Sequence, residues 1–131
     1  MDIAKEVLQN KILIVDDVLS MRRLAKEIFR DAGFTNIFDA PDGQEALKLM
    51  QKIKVNIRVC AWNMPVMSGL EFFKAVQADP RLAKTPFIML TSSSEMSKVK
   101  EAIDAGITAY IIKPYKPIDL IKKINSLLVN R

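Results

Sequence analysis

The sequence predicts an α/β protein with a parallel sheet covered by helices on both faces, and three observations carry that expectation. Short apolar, β-branched runs of strand length alternate five times with longer amphipathic segments. The runs are apolar at successive positions, as in strands buried on both faces. Residues able to do chemistry stand where these runs end: Asp16-Asp17, Thr91 and Lys113. In open α/β sheets, sites are built in the crevice outside the carboxyl ends of the strands.

Residues 1–10 read as a short helical or frayed lead-in, and residues 11–131 as one domain. The first strand is Lys11-Ile12-Leu13-Ile14-Val15, ending in two acids. The first helix follows Asp17, carries Met21, Leu24, Ala25 and Ile28 on one stripe, and stops at Gly33, which suits a left-handed cap. The second strand is the weakest and is placed around Thr35 to Phe38. A second helix opens at Asp42-Gly43-Gln44-Glu45, where Asp42 can cap and Glu45 can reach back in a capping box. The third strand, from Val55, ends at Ala61. Ser68 and Glu71 repeat the capping-box spacing, and Leu70, Phe73 and Val76 then face the sheet. The fourth strand, Phe87-Ile88-Met89-Leu90, ends at Thr91, and a fourth helix runs from about Ser94 to Ala105 before Gly106. The last strand, Tyr110-Ile111-Ile112, ends at Lys113-Pro114, and the last helix begins near Pro117 and buries Ile121, Ile124 and Leu128.

The length of 131 residues fits one domain with a core large enough to fold without disulfides or metal staples. One cysteine excludes an internal disulfide framework, and Cys60 reads as a small buried hydrophobe rather than a reactive thiol. No apolar run approaches the roughly 20 residues that span a bilayer, and the N-terminus lacks a signal-peptide pattern. A soluble cytoplasmic protein with no membrane association is therefore expected. A formal charge of +5 without Arg-rich runs favours acidic partners slightly and does not call for nucleic acid.

Each chemical residue has an ordinary reading when taken alone. Asp16-Asp17 could be a polar turn with Asp17 capping the next helix, Thr91 a strand-end hydroxyl, Lys113 a surface lysine and Tyr110 a half-buried aromatic. The lysines at 98, 100, 116, 122 and 123, set against Glu101, Asp104 and Asp119, could be a solvated face or a docking surface for an acidic segment. Two carboxylates, a hydroxyl and an ammonium at the ends of different strands form a combination suited to binding Mg²⁺ and neutralising a phosphoryl group.

In this order and spacing the residues resemble the receiver domain of two-component response regulators, in particular the stand-alone CheY-like chemotaxis regulators, from about Lys11 to about Val129. The resemblance implies a flavodoxin-like (βα)₅ fold, a five-stranded sheet in the order 2-1-3-4-5, and a phosphorelay protein that is itself no enzyme. It assigns Asp16, Asp17 and the backbone carbonyl of Asn63 to Mg²⁺. Thr91 becomes the switch hydroxyl, Tyr110 the switch aromatic, and Lys113 the contact to the phosphoryl group, followed by a cis bond to Pro114. The implied partners are a histidine kinase, a target such as the flagellar motor switch protein, and a phosphatase. The family's stand-alone members are monomers as a rule. Target binding would use the surface of the fourth helix, last strand and last helix.

Ala61 falls at the family's phospho-acceptor aspartate. A methyl group has neither an oxygen to attack phosphorus nor a lone pair for a metal, so phosphotransfer should be absent and Mg²⁺ binding weakened. Cys60 points the other way along the strand, and the Asn63 amide is no nucleophile. Retention of the other site residues favours an Asp-to-Ala substitution in a phosphorylatable regulator. The alternative is a natural pseudo-receiver, a phosphorylation-independent protein-binding module. A flavodoxin-like cofactor binder is disfavoured because Asp16-Asp17 would repel a phosphate in the first strand-helix loop. A DNA-binding regulator is disfavoured because no linker or output domain is evident, so output is expected to pass through a partner.

Overall fold

The computed structural model describes residues 2–92 and 97–129. Five strands, β1 (Ile12–Val15), β2 (Ile37–Ala40), β3 (Ile57–Ala61), β4 (Phe87–Ser92) and β5 (Tyr110–Lys113), form one parallel sheet in the order β2-β1-β3-β4-β5. The helices are α1 (Lys5–Leu8), α2 (Leu19–Ala32), α3 (Gly43–Lys52), α4 (Gly69–Gln77), α5 (Val99–Ala105) and α6 (Pro117–Val129).

Strand alternation divides the core into two halves. Ile12, Ile14, Ile57, Val59, Ile88 and Leu90 face Ala25, Ile28 and Phe29 of α2 and Leu120, Ile121, Ile124 and Leu128 of α6. Leu13, Val15, Cys60 and Met89 face Ala46 and Met50 of α3, Leu70, Phe72, Phe73 and Val76 of α4, and Ala102 of α5. Every residue of β1 and β3 is buried, which is why those runs are continuously apolar apart from Arg58.

Several expected boundaries shift. The lead-in is docked: Val7 of α1 is buried, and Ile3 and Leu8 pack on the α2/α6 half of the core. The second strand lies two residues later than expected, because pairing starts at Ile12 with Ile37 while the Asn36 side chain donates to the Gln9 carbonyl at 2.9 Å. On α2 the buried stripe includes Phe29, and Leu24 is 46% exposed. The Asp42 carboxylate accepts the Glu45 N–H as expected, but Glu45 turns toward Lys48, at 3.4 Å, and only half of that capping box forms. The box at Ser68 and Glu71 is complete. The expected start of the fourth helix at Ser94 lies outside the described residues, and the helix closes as expected at the left-handed Gly106.

Two features sit at odds with their surroundings. Arg58 is wholly buried in β3, with its guanidinium carbon 4.8 Å from the centre of the Phe87 ring, 5.4 Å from Phe72 and 5.9 Å from Phe73. Its Nη2 donates to the Thr85 carbonyl at 2.8 Å, while Nε and Nη1 have no partner among the described residues. Burial pulls its pKa down to about 10, so it stays charged at neutral pH. A fall of that size corresponds to roughly 3 kcal/mol against the charged form. The second feature is Val66, a β-branched residue at φ 68°, whose flanking residues close a tight turn through Met67 N–H to the Pro65 carbonyl at 2.7 Å. That backbone region is costly for a β-branched side chain, and the valine is 74% exposed, so packing returns little.

Two stability predictions follow from these features. Arg58→Met, which keeps the volume and the contact with the rings, should be at least as stable as the parent, because a buried ion replaced by an apolar side chain is typically neutral or favourable by about 1–4 kcal/mol. A drop in the urea midpoint at constant m-value would mean that the three-ring stack outweighs desolvation. Val66→Gly should gain about 1 kcal/mol by relieving strain, read as a higher Tm; an unchanged or lower Tm would refute the assignment of strain there.

Candidate functional site

Parallel pairing brings four strand ends to one edge of the sheet. Val15 is in register with Ala40 and Cys60, Ala61 with Leu90, and Ser92 with Lys113. The residues at and just beyond these positions therefore meet around a cleft of about 220 Å³. Asp16 and Asp17 come from β1, Ala61 and Asn63 from β3 and its extension, and Lys113 from β5. The remaining walls are Val18, Met21, Trp62 and Ser92.

Asp16 is the anchored acid, with 4% exposure. Its N–H donates to the Ala40 carbonyl at 3.2 Å, its Oδ1 accepts the Val18 N–H at 3.0 Å, and its Oδ2 lies 3.8 Å from Lys113 Nζ. The Asp16 carbonyl accepts Arg22 Nη1 at 2.7 Å. Asp17 is exposed and does not cap α2; the cap position is Val18, which makes no side-chain cap bond. Asp17 is thus left open toward the cleft rather than used in the helix.

Ala61 is 4% exposed at the cleft floor. Its backbone is held by close packing: a Cβ on Gly69 would sit 2.3 Å from the Ala61 carbonyl oxygen, so only glycine permits this approach of α4 to β3. The Gly69 N–H donates to the Trp62 carbonyl at 2.8 Å. Cys60 belongs to the opposite core half, and burial pushes its thiol far above the ordinary range, as expected for an inert residue.

Thr91 and Tyr110 are near but do not form the walls. Thr91 is fully buried on β4, and Ser92 supplies the β4 wall. Tyr110 is half-buried, donates its phenol O–H to the Ile107 carbonyl at 2.6 Å, and has its pKa raised by burial. It lines a different groove, of about 600 Å³, with Ile112, Tyr115, Lys116, Lys122 and Lys123. The Lys113–Pro114 bond is cis, as expected. Among the described residues, no three His, Cys, Asp or Glu side chains converge, and no helix is long and apolar enough to cross a membrane.

Sequence reasoning missed Met21, Ser92 and Arg22. Arg22 Nε donates to Asp39 Oδ2 at 2.8 Å, and Lys26 Nζ lies 2.5 Å from Asp39 Oδ1. Burial alone would raise the Asp39 carboxyl, but hydrogen bonds and charge from Lys26 and Arg22 outweigh it and hold the group below the usual carboxylate range. The i, i+4 spacing of Arg22 and Lys26 was a usable signal, lost because the second strand was placed too early to end at Asp39-Ala40.

Comparison with known proteins agrees with this geometry. Residues 12–125 match the model of the response regulator receiver domain. The chain is 41% identical over 117 residues to the chemotaxis protein CheY of Pseudomonas aeruginosa, covering 89% of this chain and 94% of the relative. The structure of the chemotaxis response regulator CheY4 of Vibrio cholerae superposes with a TM-score of 0.83 at 36% identity, covering 91% of this chain and 98% of that one. The receiver domain of a Pseudomonas aeruginosa sensor histidine kinase, solved with a magnesium ion coordinated in its active-site cleft, shares the fold at a TM-score of 0.84 and 20% identity, covering 92% and 98%. The chain belongs to the response regulator receiver domain family, and its relatives there are CheY-type chemotaxis regulators.

Proposed function

We propose that this chain is a CheY-type chemotaxis receiver in which residue 61, the phospho-acceptor position, carries alanine in place of aspartate. The observation that carries the reading is the cleft itself: Asp16, Asp17, Asn63 and Lys113 surround Ala61, and each is a residue that phosphoryl chemistry would use. In its phosphorylatable form the protein takes a phosphoryl group from a histidine kinase, with no enzymatic turnover of its own beyond that exchange. It then binds a target such as the flagellar motor switch protein, and a phosphatase acts to reset it. With Ala61 the protein is a monomer held in the unphosphorylated state.

The donor set fits Mg²⁺: two carboxylates and a backbone carbonyl, all hard oxygens, with room for water. Asp16, Asp17 and the Asn63 carbonyl would hold the ion, which when bound would offset negative charge on phosphoryl oxygens. Lys113 brings a second positive charge to the same edge, 3.8 Å from Asp16. Ala61 removes one carboxylate from this set, so affinity falls.

The output surface is the groove with Tyr110 and Tyr115 between Lys116, Lys122 and Lys123. The hydrogen bond from Tyr110 to the Ile107 carbonyl holds the ring in one position. Thr91, fully buried on the adjacent strand, is the switch hydroxyl that would follow a phosphoryl oxygen and release the ring.

Incubation with acetyl phosphate and Mg²⁺, followed by intact mass measurement, should show a phosphoryl adduct on Ala61→Asp and none on the parent. An adduct on neither would support instead a phosphorylation-independent binding module. Titration followed by Trp62 fluorescence should show Mg²⁺ binding to the parent roughly tenfold or more weakly than to Ala61→Asp, because a nearby charge is worth a few kcal/mol before water compensates. Equal affinities would contradict the role given to residue 61 in the metal site.

A further inference from the structure

One guanidinium ties the acid cleft to the neighbouring strand end. Arg22, on α2, donates Nη1 to the Asp16 carbonyl at 2.7 Å and Nε to Asp39 Oδ2 at 2.8 Å. The other oxygen of Asp39 meets Lys26, one turn further along α2. Ala40, next to Asp39, in turn accepts the Asp16 N–H at 3.2 Å. The Asp16 backbone is therefore held at both of its polar atoms by a closed ring that runs through β2 and α2. The Arg22 side chain is 13% exposed and that of Asp39 24%, so the ring is largely shielded from solvent.

We infer that Arg22 is a positioning residue for the acid cleft, setting the place of Asp16 and Asp17 for a divalent cation, with Asp39 and Lys26 holding Arg22 in turn. The inference rests on reading the cleft as a cation site. The fork geometry matters: Nε and Nη1 of one rigid plane reach two acceptors at once, which a lysine ammonium on a flexible stem does not reproduce. Two effects of Arg22 oppose each other. Its positive charge disfavours a cation nearby, and its hydrogen bond to Asp16 favours one by removing the freedom of the acid pair. Asp39, shared between Arg22 and Lys26, offsets part of that charge, and the directed bond outweighs the rest. Loss of partners that orient metal ligands typically weakens binding about 10–100-fold.

The test compares Arg22→Lys and Arg22→Gln, each in the parent chain and in Ala61→Asp, by calorimetric titration with Mg²⁺, with circular dichroism to confirm the fold. The inference expects both substitutions to weaken Mg²⁺ binding about tenfold or more, the lysine despite its unchanged charge. It is overturned if Arg22→Lys binds like its parent, or if Arg22→Gln binds more tightly, since charge alone would produce that pattern. If neither parent binds Mg²⁺, the reading of the cleft as a cation site fails, and the inference with it. Binding by a parent with no effect at Arg22 defeats the inference alone.

Discussion

The burial of β1 between β2 and β3 is the constraint on which the rest depends. A strand paired on both edges and covered on both faces must be apolar throughout, and Ile12–Val15 meets that demand with 1% exposure or less at each residue. The first polar residue after the run is Asp16, which still pairs through its backbone with Ala40 and stays buried at the sheet edge. The parallel register then brings Ala61 and Lys113 to the same edge. The cleft results from where the strands stop and from the residues that directly follow β1 and β3.

Charge in the cleft is arranged in tiers of solvent access. Asp16 is buried, hydrogen-bonded at its N–H, its carbonyl and Oδ1, and has Oδ2 near Lys113, which is half-buried; Asp17 and Asn63 are exposed. The anchored acid sets position and the exposed ones can respond to a ligand. Alanine at position 61 adds no charge to this edge, so two carboxylates rather than three share it and Lys113 stands beside Asp16. A methyl group at that position offers no nucleophile.

Other parts of the chain accept local costs of their own. Arg58 places a cation among three phenylalanine rings in the α3/α4 half of the core, and a single carbonyl satisfies only part of its hydrogen-bonding capacity. The Gly69 contact with the Ala61 carbonyl shows how tightly α4 is drawn onto the carboxyl end of β3, since a single methyl group would not fit between them. Close packing at the cleft floor and an awkward charge deeper in the same half-core thus coexist on one strand.

By itself the sequence determined the fold class, the sheet's central strands and part of the cleft, because continuous apolar runs, capping spacings and polar residues at strand ends are local patterns. Asp16, Asp17, Ala61 and Lys113 could be read in this way as strand ends, whereas Asn63 came only from the resemblance to receiver domains. The tertiary structure alone decided the register of β2, the exchange of Leu24 for Phe29 in the core, the turn of Glu45 away from its cap, and the ring joining Arg22, Asp39 and Asp16. Each depends on a partner distant in sequence. An edge strand of mixed burial such as β2 carries a weak periodic signal, so its position follows from pairing with β1. A helix stripe is likewise settled only when the sheet and α6 take up positions against it, and a guanidinium becomes a brace only once two strand ends stand within its reach.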